Sequence, residues 1–246
     1  MNNRTDSYNE EKYCPWNFWE AVVAIFLIIP LFLILIIPIA YLLDREMGEI
    51  IFSPSEISNF GFALAYFIQT VALLILLWLF VFFRNKASWY NLGIRQFNFF
   101  KGIFLIIFGI IATSLIYFIY IIFLQFIPWD IEQNKILQLI ENKNISFVML
   151  FLVAVIIAPI CEELFFRGFL YPAFKKRMNV FSAMFLSSIL FAVFHLQPAQ
   201  LLPLICIGFV LAFVYEKAKS LIPAILVHSL YNLAAIIILF QFIKLS

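Results

Sequence analysis

The chain has 246 residues, of which 65% are hydrophobic and only 12% charged. A soluble domain is about half apolar and a quarter charged, so this composition excludes an ordinary soluble protein and indicates a membrane protein. The net charge of +2 is small, and the longest basic cluster is Lys175-Lys176-Arg177. These features argue against a nucleic-acid partner and leave the lipid bilayer as the expected environment.

Seven apolar runs predict an all-α fold, a polytopic bundle of transmembrane helices. An apolar run of about 18 or more residues can cross a bilayer core of about 30 Å, and the fifth and sixth runs are the shortest. The predicted spans are 21–43, 60–83, 102–127, 145–173, 180–196, 200–215 and 221–243. A polar amino-terminal segment, residues 1–20, precedes them, and the two longest polar connections are 44–59 and 128–144.

The distribution of Lys and Arg predicts the orientation, because these residues concentrate in cytoplasmic connections. The connections on the side of the amino terminus carry Arg4, Lys12, Arg84, Lys86, Arg95, Lys101, Lys175, Lys176, Arg177, Lys217 and Lys219. The opposite side carries Arg45, Lys135, Lys143 and Lys244. We therefore expect the amino terminus inside and the carboxyl terminus outside.

The fourth apolar run contains three charged residues, although residues 145–160 before them carry no charge. A charge at the bilayer centre costs about 2.5–3.5 kcal/mol, so Glu162, Glu163 and Arg167 must pair or face a polar cavity. Glu163 and Arg167 are four residues apart, which favours an ion pair on one helix face. Glu162 points about 100° away and is left over. Either Glu162 is free for chemistry, or all three form one buried structural network.

Both histidines of the chain occur in the last apolar runs. His195 ends the stretch FAVFH, and His228 and Asn232 lie four residues apart in HSLYN. At 1.5 Å per residue, all three fall in the middle zone of the membrane, as Glu162 does, and would be within reach of one site if the three helices are adjacent. Such a group could activate water with a carboxylate and stabilise an oxyanion, or it could bind a metal. The spacing leaves both schemes open.

The three cysteines, Cys14, Cys161 and Cys206, have neither paired nor metal-type spacing. We therefore expect all three to be free thiols that are buried or lie at the membrane interface. Cys161 stands beside Glu162 and could be considered as a nucleophile, but the sequence offers it no base on its own helix face.

The motifs EELFFR, FAVFH and HSLYN, in this order, resemble EExxxR, FxxxH and HxxxN of the type II CAAX prenyl endopeptidases and their prokaryotic relatives, the CPBP or Abi family. Asn91-Leu92-Gly93-Ile94 ahead of the third span also resembles the family. The resemblance implies an all-helical intramembrane endopeptidase with its catalytic core over 145–243.

By the same resemblance, Glu162 would be the general base and His195 would help to activate water. His228 and Asn232 would form the oxyanion site, with Glu163 and Arg167 in support. The family has been described both as metal-independent glutamate proteases and as metalloproteases. The cofactor is therefore either none or a divalent metal such as zinc, which Glu162, His195 and His228 would then hold.

The expected partner is a membrane-embedded peptide or protein substrate. We expect a multi-pass protein of a bacterial plasma membrane. Two alternative functions do not involve proteolysis. A silent scaffold or bacteriocin-immunity protein of the same fold would not need the intact polar set. A transporter would show internal repeats or paired broken helices, and neither is present in the sequence.

Overall fold

The structure, a computed structural model, describes residues 14–47, 59–126, 148 and 151–245. Seven helical segments follow one another in this part of the chain, and no strand occurs in it. They coincide with the seven predicted spans, which confirms the predicted helical membrane bundle. The predicted connections 44–59 and 128–144 and most of the polar amino-terminal segment lie outside the described residues.

The segments are numbered here in chain order. They are α1, Phe18–Met47; α2, Asn59–Leu77 continued by the π-helical stretch Trp78–Arg84; α3, Phe99–Gln125; α4, over 151–175; α5, Val180–Phe194; α6, Leu201–Ala218; and α7, Leu221–Leu245. A short 3₁₀ turn, Pro198–Gln200, joins α5 to α6. Asparagine side chains cap three helix starts of the described chain, since Asn17, Asn98 and Asn179 accept hydrogen bonds from the main-chain N–H groups of Glu20, Lys101 and Ser182.

Helix α4 is not a continuous α-helix. It consists of a π-helical stretch Phe151–Ile157, an α-helical turn Ala158–Glu163, a second π-helical stretch Leu164–Leu170 and a last α-helical turn Tyr171–Lys175. Wider π turns inside α-helices often mark functional sites. Here they flank the segment that carries both glutamates.

Five helices of the described chain are long and apolar enough to cross a membrane. These are Phe18–Ile39, Tyr66–Arg84, Phe99–Gln125, Pro198–Ala218 and Leu221–Ile238. Helix α5 is shorter, and α4 is interrupted by its charged residues. The chain is therefore a multi-pass membrane protein, whereas its orientation stays a prediction.

Helix α4 lies at the centre of the bundle and contacts α1, α2, α5 and α7. Its second half, 164–174, is buried except for the half-buried Pro172. Around it, α3 packs against α6 and α7, and α5 packs against α6. Helices α1 and α3, by contrast, expose many large apolar side chains, as expected of surfaces that face lipid. The fold thus places the charged residues of α4 where lipid cannot reach them.

Candidate active site

The ion pair predicted within α4 is present and fully buried. Arg167 Nη1 donates to Glu163 Oε1 over 2.8 Å. The other end of the guanidinium, Nη2, donates to the main-chain carbonyl of Gly208 on α6 over 3.0 Å. Removing one partner of such a buried pair costs about 3–5 kcal/mol, because it leaves an uncompensated charge behind. Glu163 and Arg167 therefore join α4 to α6.

His228 on α7 is held by the same carboxylate. Its Nδ1 lies 3.0 Å from Glu163 Oε1, so Glu163 Oε1 binds both His228 and Arg167. A carboxylate beside one ring nitrogen of a histidine keeps the proton on that nitrogen and leaves the other nitrogen as an acceptor. Nε2 of His228 is thus presented away from Glu163, toward Glu162.

His195 is oriented in the same manner by a main-chain carbonyl. Its Nδ1 lies 2.6 Å from the carbonyl oxygen of Phe191, which can only accept, so Nδ1 is the donor. Nε2 of His195 then lies 3.8 Å from Glu162 Oε2, and Nε2 of His228 lies at the same distance of 3.8 Å. Three helices, α4, α5 and α7, therefore direct one carboxylate and two imidazole nitrogens at a common point.

The polar atoms of this group are incompletely satisfied. Among the described residues, Glu162 Oε2, Glu163 Oε2 and Arg167 Nε are buried without a hydrogen-bond partner. An unmade hydrogen bond of a buried group costs about 1–3 kcal/mol, so evolution retains such groups chiefly where they serve a function. One guanidinium also faces two carboxylates, which leaves the negative charge of Glu162 without a matching cation of its own.

Asn232 lies one helical turn after His228, and its amide nitrogen donates to the carbonyl of Ala154 on α4 over 2.7 Å. This hydrogen bond fastens α7 to the first π-helical stretch of α4. Its second amide proton can serve another acceptor, because an amide nitrogen has two donors. The structure thus brings Glu162, His195 and His228 together and places Asn232 one helical turn beyond His228, bound to α4.

The position of His195 differs from the prediction. The histidine was expected inside a helical span, but α5 ends at Phe194 and His195 is its carboxyl-terminal cap. Fifteen residues give α5 a length of about 22 Å, which is short of the bilayer core of about 30 Å. Non-helical backbone at membrane depth requires burial in protein or a water-filled cavity. The end of α5 therefore favours entry of water next to His195.

Two further residues support the group and were missed by the sequence reasoning. Phe191 is buried, its ring centroid lies 4.4 Å from that of His195, and the guanidinium of Arg167 lies 4.3 Å above it. Gly208 leaves room for that guanidinium, since a Cβ there would lie 3.2 Å from Arg167 Nη2. The first residue of FxxxH could have suggested Phe191, because residues four apart share a helix face. Nothing in the sequence connects Gly208 to Arg167.

The metal scheme receives no support from this geometry. In the described part of the chain, no group of three or more His, Cys, Asp or Glu side chains is arranged to hold a metal ion. The three cysteines are free thiols, with Cys14 and Cys161 buried. The metalloprotease class therefore stays a prediction.

To test the predicted family, the chain was compared with models of known protein families. Residues 144–234 match the family model described as type II CAAX prenyl endopeptidase Rce1-like. The match confirms the resemblance drawn from the three motifs, all of which lie within the matched residues. No solved structure matches the chain significantly.

Two curated proteins are similar to about a third of the chain. The first is named "Putative membrane peptidase YdiL" from Bacillus subtilis (strain 168), 32% identical over 89 residues, which are 36% of this chain and 36% of the relative. The second is named "UPF0177 protein YxdF" from Lactococcus lactis subsp. lactis (strain IL1403), 36% identical over 94 residues, which are 37% of this chain and 51% of the relative. The chain thus spans between a third and about half of these relatives. Family and names together support a membrane protease at the level of the family.

Proposed function

We propose that the chain is an intramembrane endopeptidase that hydrolyses a peptide bond of a membrane-associated peptide or protein. The observation that carries this proposal is the convergence of Glu162 Oε2 with Nε2 of His195 and Nε2 of His228, at 3.8 Å each, inside the bundle. A distance of 3.8 Å is too long for a direct hydrogen bond and leaves both nitrogens able to bind a molecule shared with the carboxylate. Water fits this requirement because it can donate and accept.

In the proposed reaction Glu162 removes a proton from a water molecule that His195 positions. The resulting hydroxide attacks the carbonyl carbon of the scissile bond, and the carbonyl oxygen becomes an oxyanion. Asn232 donates a hydrogen bond to that oxyanion, and His228 donates one from Nε2 when both of its ring nitrogens carry a proton. Glu162 then returns the proton to the departing amine, which breaks the C–N bond and regenerates the carboxylate.

Glu163 and Arg167 have a positioning role in this scheme. Glu163 binds Nδ1 of His228, and Arg167 holds Glu163 while it also binds α6. These contacts matter because a small displacement of a catalytic side chain lowers the reaction rate by a large factor. The proposed location is the plasma membrane of a bacterium, in line with the bacterial relatives.

A direct test uses the full chain reconstituted in liposomes with a mixture of synthetic membrane-spanning peptides. We expect wild-type protein to produce new peptide ends and Glu162→Gln to produce none. Cys161→Ala is the matched control, since Cys161 is the neighbouring buried residue and an alternative nucleophile. Cleavage by Glu162→Gln at the wild-type rate would refute the assignment, and loss of cleavage in Cys161→Ala would transfer it to the thiol.

The other candidate function is a silent scaffold of the same fold. It would bind a membrane protein and require the folded bundle but not the charge of Glu162. A cellular phenotype that Glu162→Gln restores as fully as wild type, without any new peptide ends, would favour it.

A further inference from the structure

A cavity of about 590 Å³ lies at the end of the bundle where Lys and Arg are concentrated. It opens between the carboxyl-terminal ends of α4 and α6 and the connection from α2 to α3. Its described lining includes four cationic side chains, Arg95, Lys175, Lys176 and Lys219, and a single carboxylate, Glu216. This lining defines the basic cavity. Its volume falls in the range of about 300–1,000 Å³ that is usual for small-molecule sites.

The basic cavity is separate from the candidate active site. Tyr171 and Lys175, which line it, follow Glu162 along α4 by roughly 14 and 20 Å at 1.5 Å per residue. None of Glu162, His195, His228 and Asn232 is among its lining residues. Its chemistry is therefore independent of the proposed hydrolysis.

The wall formed by the α2–α3 connection is fixed against the turn between α6 and α7. The carbonyl of Gly93 accepts a hydrogen bond from the main-chain N–H of Leu221 over 2.8 Å, and Ser220 Oγ donates to the carbonyl of Arg95 over 2.6 Å. Gly93 has a φ of +97°, and a Cβ there would lie 2.8 Å from the ring of Tyr215. Only glycine fits this position, which belongs to the Asn91-Leu92-Gly93-Ile94 motif.

Among the described residues of the lining, cationic side chains outnumber carboxylates. Glu216 accepts hydrogen bonds from Tyr171 over 2.7 Å and from Lys175 over 3.2 Å, and it also pairs with Lys219. One carboxylate is thus shared by two ammonium groups. Lys176 donates to the neutral main-chain carbonyl of Trp16 over 2.7 Å. The described lining thus brings four cationic side chains and one carboxylate to a wall that the main chain holds in place.

Lys219 has a backbone conformation that is unusual for its residue type. Its φ of 56° and ψ of 22° place it in the left-handed region, where a helix normally ends on glycine. A lysine there carries a strain that glycine would avoid. The strained position sets its ammonium group at the rim of the basic cavity, beside Glu216.

We propose that the basic cavity binds an anionic phosphate group. Basic pockets between transmembrane helices on the cytoplasmic side bind phosphate headgroups of lipids, and a phosphate has the charge and the acceptor oxygens that several Lys and Arg donors satisfy. The phosphate is supplied either by the headgroup of an anionic lipid or by a soluble phosphate ester, and the same donors would bind both.

The test uses the full chain in nanodiscs and two probes. In one arm, phosphatidylglycerol replaces part of the phosphatidylcholine, and bound lipid is counted by native mass spectrometry. In the other, glycerol 3-phosphate is titrated into pure phosphatidylcholine nanodiscs by calorimetry. Saturable binding in the first arm alone identifies a lipid headgroup, and binding in both identifies the phosphate group itself. No preference for phosphatidylglycerol and no heat from glycerol 3-phosphate would overturn the proposal.

The variants test whether binding belongs to the basic cavity. We expect Lys175→Gln and Lys219→Gln each to weaken binding roughly fivefold, because a cation near a phosphate contributes about that factor. Glu216→Gln should strengthen binding, since it removes the carboxylate of the lining. Lys217→Gln is the matched control: Lys217 lies on the same helix end but outside the lining, with its ammonium group near the ring of Phe213. An equal loss in Lys217→Gln would show a general surface effect and overturn the assignment.

Discussion

Two adjacent glutamates on α4 have opposite environments. Glu163 is bound by Arg167 Nη1 and by His228 Nδ1, at 2.8 and 3.0 Å. Glu162 faces two histidine nitrogens at 3.8 Å, and its Oε2 has no hydrogen-bond partner among the described residues. A single step along the helix, a rotation of about 100°, therefore separates a carboxylate that stabilises the bundle from one that the bundle leaves available for a reaction.

The strongest test of this difference is Glu162→Gln. We expect the cleavage rate to fall by about 10²–10⁴-fold, the usual contribution of a general base. The free energy of unfolding should stay the same or rise, because an amide is less costly than a buried carboxylate without a partner. Cleavage and denaturant unfolding in detergent, measured on the same preparation, check both. A loss of stability as large as the loss of activity would place Glu162 among the structural residues.

Arg167→Gln should have the reverse effect. It leaves Glu163 buried without its cation and the Gly208 carbonyl without a charged donor, so we expect about 3–5 kcal/mol of lost stability. The decrease in activity should be explained by two effects alone, the smaller folded fraction and the displacement of His228. Thermal unfolding in nanodiscs measures the effect, with the exposed Arg177→Gln as the control. Wild-type stability in Arg167→Gln would contradict the structural role.

Gly208→Ala tests the close approach of α6 to Arg167. The added Cβ would lie 3.1 Å from Ser188 Cβ and 3.2 Å from Arg167 Nη2, so we expect a loss of about 1–3 kcal/mol from overpacking. Cys206→Ala, at a half-buried position two residues earlier on the same helix, serves as the control and should be nearly neutral. If the two variants unfold alike, α6 does not constrain the guanidinium.

Asn232→Ala probes the boundary between the two environments. Loss of the hydrogen bond to the Ala154 carbonyl should cost about 0.6–1.7 kcal/mol, the range for polar contacts between transmembrane helices. A role in oxyanion binding adds a decrease in kcat that stability does not explain. Comparison of kcat with the free energy of unfolding separates the two roles, and a decrease in stability alone would leave Asn232 as a link between helices.

The smallest expected effect is that of a metal chelator. The proposed scheme uses Glu162 and two histidines without a metal, so treatment of the purified protein with a chelator should leave the cleavage rate unchanged. If the chelator abolishes cleavage and added zinc restores it, this scheme is wrong. A scheme in which Glu162, His195 and His228 hold the metal would then take its place.

The sequence predicted the helical bundle well, because long apolar runs leave the backbone few alternatives in lipid. It also predicted the Glu163–Arg167 pair, since that contact depends only on the spacing along one helix. It could not predict that α5 ends before His195 or that α4 contains π-helical stretches, because apolar composition hardly distinguishes these geometries. The binding of Arg167 to the Gly208 carbonyl depends on how two distant helices pack, and the same holds for the walls of the basic cavity.

The most direct test of the proposed protease compares the termini of membrane peptides in cells that express wild type or Glu162→Gln at equal levels. We predict termini that occur only with wild type, which would establish proteolysis and identify substrates in one experiment. Identical sets of termini, together with a deletion phenotype that both versions rescue, would contradict the account and favour a scaffold.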